Sequence, residues 1–205
     1  NLLLGREFEV SVLAPIDEFS DNLRRVGCHH IHLEMDNKGL NPLRDLMMRK
    51  RLSEQYKEID PDLILHYTVK PVIYGSIAAE KLGISFINNI TGLGTAFINN
   101  NWVTWLVKRL YRLSQNNADH IYFQNADDKE LFSRGKLIPE NVPQEVIPGT
   151  GIDTDHFQLS PYPEKNPVTF LLIARMLWDK GVGEFVEAAR QIKTEFSDVR
   201  FQFLG

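Results

Sequence analysis

Arg175 and Lys180 stand on one short stretch, after the apolar run Phe170–Ala174 and before the amphipathic run that opens at Gly181. A strand that ends at an arginine, followed by a loop, a lysine and two glycines (Gly181 and Gly183) at a helix start, gathers two cations and free backbone N–H groups in one place. A diphosphate suits that arrangement. The guanidinium offers forked hydrogen bonds, the ammonium a point charge, and the helix N-terminus adds positive potential. The same spacing is equally met by solvated loop charges.

Three other sets invite attention. Thr91-Gly92-Leu93-Gly94 follows the strand-like run Ser85–Asn89, and its two glycines permit close backbone approach at a strand end. His66 ends the run Leu63–His66, where it is either a satisfied core histidine or a group that approaches a cleft. Trp102, Trp105, Lys108, Arg109 and Arg112 mix indoles and cations on one helical stretch. Such a helix lies in a membrane interface or simply covers a domain with its apolar face.

Several chemistries are excluded by what is missing. No complete G-x-G-x-x-G, Walker A, His-Glu-x-x-His or G-x-S-x-G sequence occurs, which removes the motif basis for dinucleotide binding, metal hydrolysis and serine acyl transfer. Cys28 is the only cysteine, so no intrachain disulfide and no cysteine zinc site can form, and a reducing, cytoplasmic setting is expected. A net charge of -4 supplies no clustered basic surface for phosphate neutralisation, so nucleic acid is not an expected partner. No apolar run approaches the roughly 18 residues of a membrane span, and Asn1–Glu9 lacks the phases of a signal peptide. Asn89-Ile90-Thr91 matches a glycosylation sequon, which carries no meaning without secretion.

The elements that must position these residues alternate. Strands are predicted at Phe8–Ala14, His30–Leu33, Leu63–His66, Ser85–Asn89, His120–Phe123, Glu145–Ile147, Thr169–Ile173 and Arg200–Leu204. Helices are predicted at Asp17–Val26, Pro42–Ile59, Pro71–Leu82, Trp102–Asn116, Asp127–Arg134 and Gly183–Phe196. Asn41-Pro42 reads as an N-cap with proline at the first helical position, and Gly83 as a helix C′ residue. This rhythm predicts α/β architecture: a mostly parallel sheet, helices on both faces, ligands at the carboxyl ends of the strands. Prolines and glycines crowd Pro148–Pro167, the predicted crossing between domains. The expected division is 1–148, a linker over 149–167, and the start of a second domain over 168–205. The second domain looks cut short, and Asn1–Gly5 resembles the tail of a helix whose strand is missing.

Arg175 with Lys180-Gly181 resembles the R-x4-K-G donor element of family 4 glycosyltransferases with the GT-B fold. Val146–Phe157, containing Ile147-Pro148-Gly149-Thr150-Gly151-Ile152-Asp153, resembles the I-P-N-G-V-D linker of the same family. Lys70–Ala79 and Phe86–Gly94 are similar to bacterial transferases that extend an undecaprenyl-diphosphate-linked sugar. The resemblance implies two Rossmann-like domains and transfer of a sugar, of N-acetylhexosamine type, from a UDP-sugar to a polyprenyl-diphosphate-linked saccharide with retention. It implies donor contacts at Arg175, Lys180, Gly181, Gly149 and Gly151, and no cofactor or metal. It also implies an acceptor or donor-sugar loop drawing on His66, Lys70, Thr91, Gly92 and Gly94, and a peripheral position on the cytoplasmic membrane face. The donor-gripping E-x7-E element of the family is expected beyond Gly205.

One departure stands out. The family's first-domain histidine, in an H-G pair, is here Thr91-Gly92, so its role does not transfer. Rival readings are a UDP-sugar epimerase of the same architecture and a non-catalytic half that needs a partner chain.

Overall fold

The structure is a computed structural model that describes residues 3–35, 42–92, 102–161 and 167–205. The chain divides into two compact units, Asn1–Gly151 and Ile152–Gly205.

In the first unit β1 (Ser11–Ala14), α1 (Ser20–Arg25) and β2 (His29–His32) form a small parallel β-α-β piece. The predicted first helix begins three residues late because Asp17 makes its own turn: its carboxylate accepts the Phe19 N–H at 2.9 Å and the Ser20 hydroxyl at 3.1 Å. Next come α2 (Pro42–Ile59), β3 (Leu63–Tyr67), α3 (Ser76–Leu82), β4 (Ser85–Ile90), α4 (Trp102–Ser114), β5 (His120–Phe123), α5 (Ala126–Arg134) and β6 (Gln144–Val146). Strands β3, β4, β5 and β6 lie side by side in chain order, all parallel.

Register explains the core. Ile64 pairs with Phe86, His66 with Asn88, Asn88 with Ile121, and Ile90 with Phe123, so these side chains share one face of the sheet and are buried there. Val107 and Tyr111 of α4 and Phe132 of α5 complete the packing. Phe132 meets Tyr111 and Phe123 edge-on with ring centroids at 4.9 and 5.3 Å, contacts worth about 0.5–1.5 kcal/mol each beyond their buried area.

Two features depart from the sequence reading. Helices were expected on both sheet faces, yet among the described residues the alternate positions of β3, Leu63, Leu65 and Tyr67, remain 48, 42 and 46% exposed. In addition, the predicted helix over Pro71–Leu82 opens with a π-turn over Pro71–Gly75. Proline has no N–H to give the ladder. Gly75 admits the close approach, since a Cβ there would stand 2.5 Å from His66 Nε2 and 2.9 Å from the Tyr56 hydroxyl.

The second unit contains β7 (Val168–Ile173), a single 3₁₀ turn at Trp178–Lys180, α6 (Val182–Glu195) and β8 (Val199–Leu204), with β7 and β8 parallel. Phe170 stacks on Phe201 at 4.9 Å, and Phe185 of α6 meets Phe201 and Phe203 edge-on.

Candidate functional site

The second unit brings Arg175, Lys180 and Gly181 onto one loop. The Ala174 N–H still bonds Leu204 at 3.0 Å, so Arg175 is the first residue past the ladder, at the carboxyl end of β7. Its carbonyl accepts the Leu177 N–H at 2.7 Å, and the Lys180 and Gly181 N–H groups close the 3₁₀ turn on Leu177 and Trp178. Gly181 then takes φ +76°, a left-handed value that glycine adopts freely, and hands the chain to α6. The first N–H groups of that helix have no intrahelical acceptor. Trp178 lies across this first turn: a Cβ on Gly183 would stand 2.8 Å from its ring. Arg175 and Lys180 are both exposed, and neither side chain has a hydrogen-bond or ion-pair partner among the described residues. Two unneutralised cations beside a helix start can bind a bridging anion and stabilise charge that grows on it.

In the first unit Thr91 and Gly92 follow the carboxyl end of β4, with Thr91 exposed and Gly92 at φ +144°, where among the described residues no atom lies within 4 Å of the position of a Cβ. Gly94 lies outside the described residues. Beneath them Asn89 is 8% exposed, and its side-chain oxygen has no hydrogen-bond partner among the described residues. At the neighbouring strand end Thr68 holds φ +67°, a conformation that costs a β-branched residue of order 1–3 kcal/mol. Its carbonyl accepts the Val72 N–H at 3.1 Å. Gly149 and Gly151, after β6, both take φ +81°, and among the described residues nothing lies within 4 Å of the position of a Cβ on either.

Lys70 is not a free cation. Its ammonium contacts Asp45 Oδ1 at 2.9 Å, and the Tyr74 hydroxyl donates to Asp45 Oδ2 at 3.0 Å. Burial, followed by the charge and hydrogen bond of Asp45, pushes the Tyr74 hydroxyl well above the usual tyrosine range. Asp45, in the first turn of α2, is therefore tied to the entry of α3.

His66 does not reach a cleft, contrary to one of the two readings above. It is 2% exposed, with Nε2 3.0 Å from the Tyr56 hydroxyl and Nδ1 2.9 Å from Asn88 Oδ1. Asn88 donates its amide to Gln115 Oε1 at 2.7 Å, and Gln115 donates onward to the Ser114 hydroxyl at 2.7 Å. With its nitrogen engaged, Asn88 presents its oxygen to the ring, so the neutral Nδ1–H tautomer donates there and Nε2 accepts from Tyr56. Burial pushes the His66 pKa down to about 4, against a smaller upward pull from Asn88. Sequence reasoning missed this chain of partners. Its signal was the recurrence of His66 and Asn88 at inward positions of neighbouring strands.

Of the helix residues singled out for a membrane, Trp102, Trp105 and Arg109 are exposed and Lys108 is half-buried. Arg112 is exposed, but its donors are taken, Nη2 by the Gly135 carbonyl at 2.7 Å and Nε by the Lys136 carbonyl at 3.2 Å.

A parallel α/β unit joined by a glycine-rich crossing to a second unit that presents Arg175 and Lys180 after its first strand is the GT-B glycosyltransferase architecture. The Glycosyl transferase 4-like family matches residues 1–125, and the chain belongs to that family. Over 213 residues it is 32% identical to the N,N'-diacetylbacillosaminyl-diphospho-undecaprenol alpha-1,3-N-acetylgalactosaminyltransferase of Campylobacter jejuni, covering 93% of this chain and 55% of that protein. A glycosyltransferase of Rickettsia africae shares the fold at TM-score 0.64 and 14% identity, covering 100% of this chain and 62% of that one. A UDP-N-acetylglucosamine 2-epimerase shares it at TM-score 0.58 and 19% identity, covering 94% and 54%. The chain spans a little over half the length of these proteins.

Proposed function

We propose that this chain forms the acceptor-side domain and the beginning of the donor-side domain of a retaining glycosyltransferase. It moves a sugar of N-acetylhexosamine type from a UDP-sugar to a polyprenyl-diphosphate-linked saccharide. The observation that carries this reading is the free pair Arg175 and Lys180 at the start of α6, in a family 4 chain similar across most of its length to a transferase whose name specifies a diphospho-undecaprenol acceptor.

In the reaction the bond from the anomeric carbon to the diphosphate oxygen breaks, and the electron pair leaves with UDP. A bond forms from the acceptor hydroxyl oxygen to the same carbon on the same face, and the hydroxyl proton passes to the departing phosphate oxygen. Arg175 and Lys180 oppose the charge that develops on that oxygen, each worth about 2–4 kcal/mol by analogy with oxyanion donors. Gly181 and the free N–H groups of α6 add dipole stabilisation, while Gly149 and Gly151 allow the backbone to approach the donor. Thr91 and Gly92 form the loop that meets the sugar, and the protein's remaining work is holding the acceptor hydroxyl on the correct face. Because the acceptor is anchored in lipid, catalysis takes place at the cytoplasmic face of a bilayer that the protein meets peripherally.

The test is product analysis of the intact natural polypeptide with a panel of UDP-sugars and a polyprenyl-diphosphate saccharide. A lipid-linked product one sugar longer is expected. An epimerised UDP-sugar formed without any lipid would replace this reading with the epimerase one.

A further inference from the structure

The loop that carries Arg175 and Lys180 holds one large side chain that a diphosphate does not use. Trp178 opens the 3₁₀ turn between β7 and α6 and is 83% exposed. A single exposed aromatic needs no explanation by itself, but this one is held in place. Its ring rests against the backbone of Gly183, where a Cβ would meet Cζ3 at 2.8 Å and Cε3 at 3.2 Å. Gly183 lies inside α6 and takes no left-handed φ, so backbone conformation gives no reason for a glycine, which weakens a helix relative to alanine. The room it leaves is the room the indole occupies.

Two carboxylates share the same turn. Glu184 Oε2 lies 3.9 Å from where a Cβ on Gly181 would stand, and Asp179 follows the indole directly in the chain. Both are exposed, and neither has a hydrogen-bond or ion-pair partner among the described residues. Carboxylates repel a phosphate, so they do not serve the diphosphate; ionised, they accept hydrogen bonds from hydroxyl groups. The start of α6 is thus surrounded by two cations, two acceptors and an aromatic ring packed on one side only.

We infer that Trp178 is the platform for the pyranose ring of the donor, which lies with its C–H face on the indole and offers its hydroxyls to Asp179 and Glu184. The inference deepens the proposed reaction and rests on its assignment of Arg175 and Lys180 to the diphosphate. Chemistry favours the sugar over the nucleobase as the ring that Trp178 meets. The pyranose is joined to the diphosphate through one oxygen, whereas the base stands a whole ribose further off, so the ring nearest the two cations is the sugar. Its C–H hydrogens carry partial positive charge and suit the negative face of an indole. Its hydroxyls need acceptors, which the two carboxylates supply.

The test measures, by calorimetry on the complete protein, the affinity for UDP and for the tighter-bound of UDP-N-acetylglucosamine and UDP-N-acetylgalactosamine. Trp178→Ala should weaken the UDP-sugar about three- to tenfold while leaving UDP within about twofold. Trp178→Phe keeps an aromatic face and should recover most of the loss. Gly183→Ala pushes the ring aside and should lower UDP-sugar affinity in the same selective way, although alanine strengthens the helix. A merely structural role for the indole would not separate sugar affinity from stability. Equal weakening of UDP and UDP-sugar gives Trp178 to the nucleoside or the diphosphate and overturns the assignment. Unchanged UDP-sugar affinity with a raised KM for the lipid-linked saccharide gives it to the acceptor, and unchanged values throughout give it no ligand; either result also overturns it. Binding is read without acceptor, so the two readings fail separately. A protein that transfers sugar while Trp178→Ala binds the UDP-sugar normally defeats the platform alone, and one that reads the sugar through Trp178 yet releases only an epimerised UDP-sugar defeats the transfer alone.

Discussion

The imidazole of His66 and the side-chain amide of Asn88, on paired positions of adjacent strands, meet at 2.9 Å inside the core of the first unit. A neutral ring held in one tautomer there makes the fold sensitive to acid. The folded pKa is depressed by burial to about 4 from the 6.5 of an ordinary imidazole, so between those values the unfolded chain binds a proton that the folded chain does not. Stability is full above about pH 6.5 and falls as pH drops toward 4, by a total on the order of 3 kcal/mol. Urea midpoints measured across that range should decline, and His66→Gln should flatten the decline while lowering stability overall.

Gly75→Ala tests the crowding at the π-turn. Its added carbon would stand 2.5 Å from the ring nitrogen that Tyr56 serves. Overpacking together with the strained hydrogen bond should cost at least about 2 kcal/mol in denaturant unfolding. A variant as stable as the parent would mean that the ring can swing aside.

Asp45 holds both Lys70 and Tyr74, with side-chain exposures of 5% for Asp45 and 14% for Lys70. Asp45→Ala leaves a largely buried ammonium unpaired and should destabilise the first unit by about 3 kcal/mol. Adding Lys70→Met should recover part of that loss, which a double-mutant cycle by thermal unfolding would register.

Arg175→Ala and Lys180→Ala should each lower turnover of the complete protein about 10²- to 10³-fold. Both side chains are exposed and unpartnered among the described residues, so unfolding should move by no more than about 0.5 kcal/mol. Normal turnover in both variants would remove the diphosphate assignment.

Much of the fold was legible because period and punctuation agree. The start of α2 at Pro42 follows from a local rule, and both ends of α2 match the reading. The Arg175 loop was legible because a strand end, two cations and two glycines fall within a few residues. What stayed hidden depends on contacts distant in sequence. Nothing near Lys70 announces Asp45, 25 residues earlier, and nothing in Arg112 shows that its donors are taken by carbonyls 23 and 24 residues later. The bare side of β3 was missed for a related reason, since Leu63 and Leu65 look as apolar as residues that are covered.

The chain of partners through the core has a direction. Tyr56 gives to His66, His66 gives to Asn88, Asn88 gives to Gln115, and Gln115 gives to Ser114. His66, Asn88 and Gln115 each give on one side and receive on the other, so a side chain of the wrong polarity at any of these three sets two like atoms face to face on both sides of it. Residues from α2, β3, β4 and α4 thus behave as one word rather than separate letters: single changes at these positions will be poorly tolerated, and variation will be accommodated when several are exchanged together.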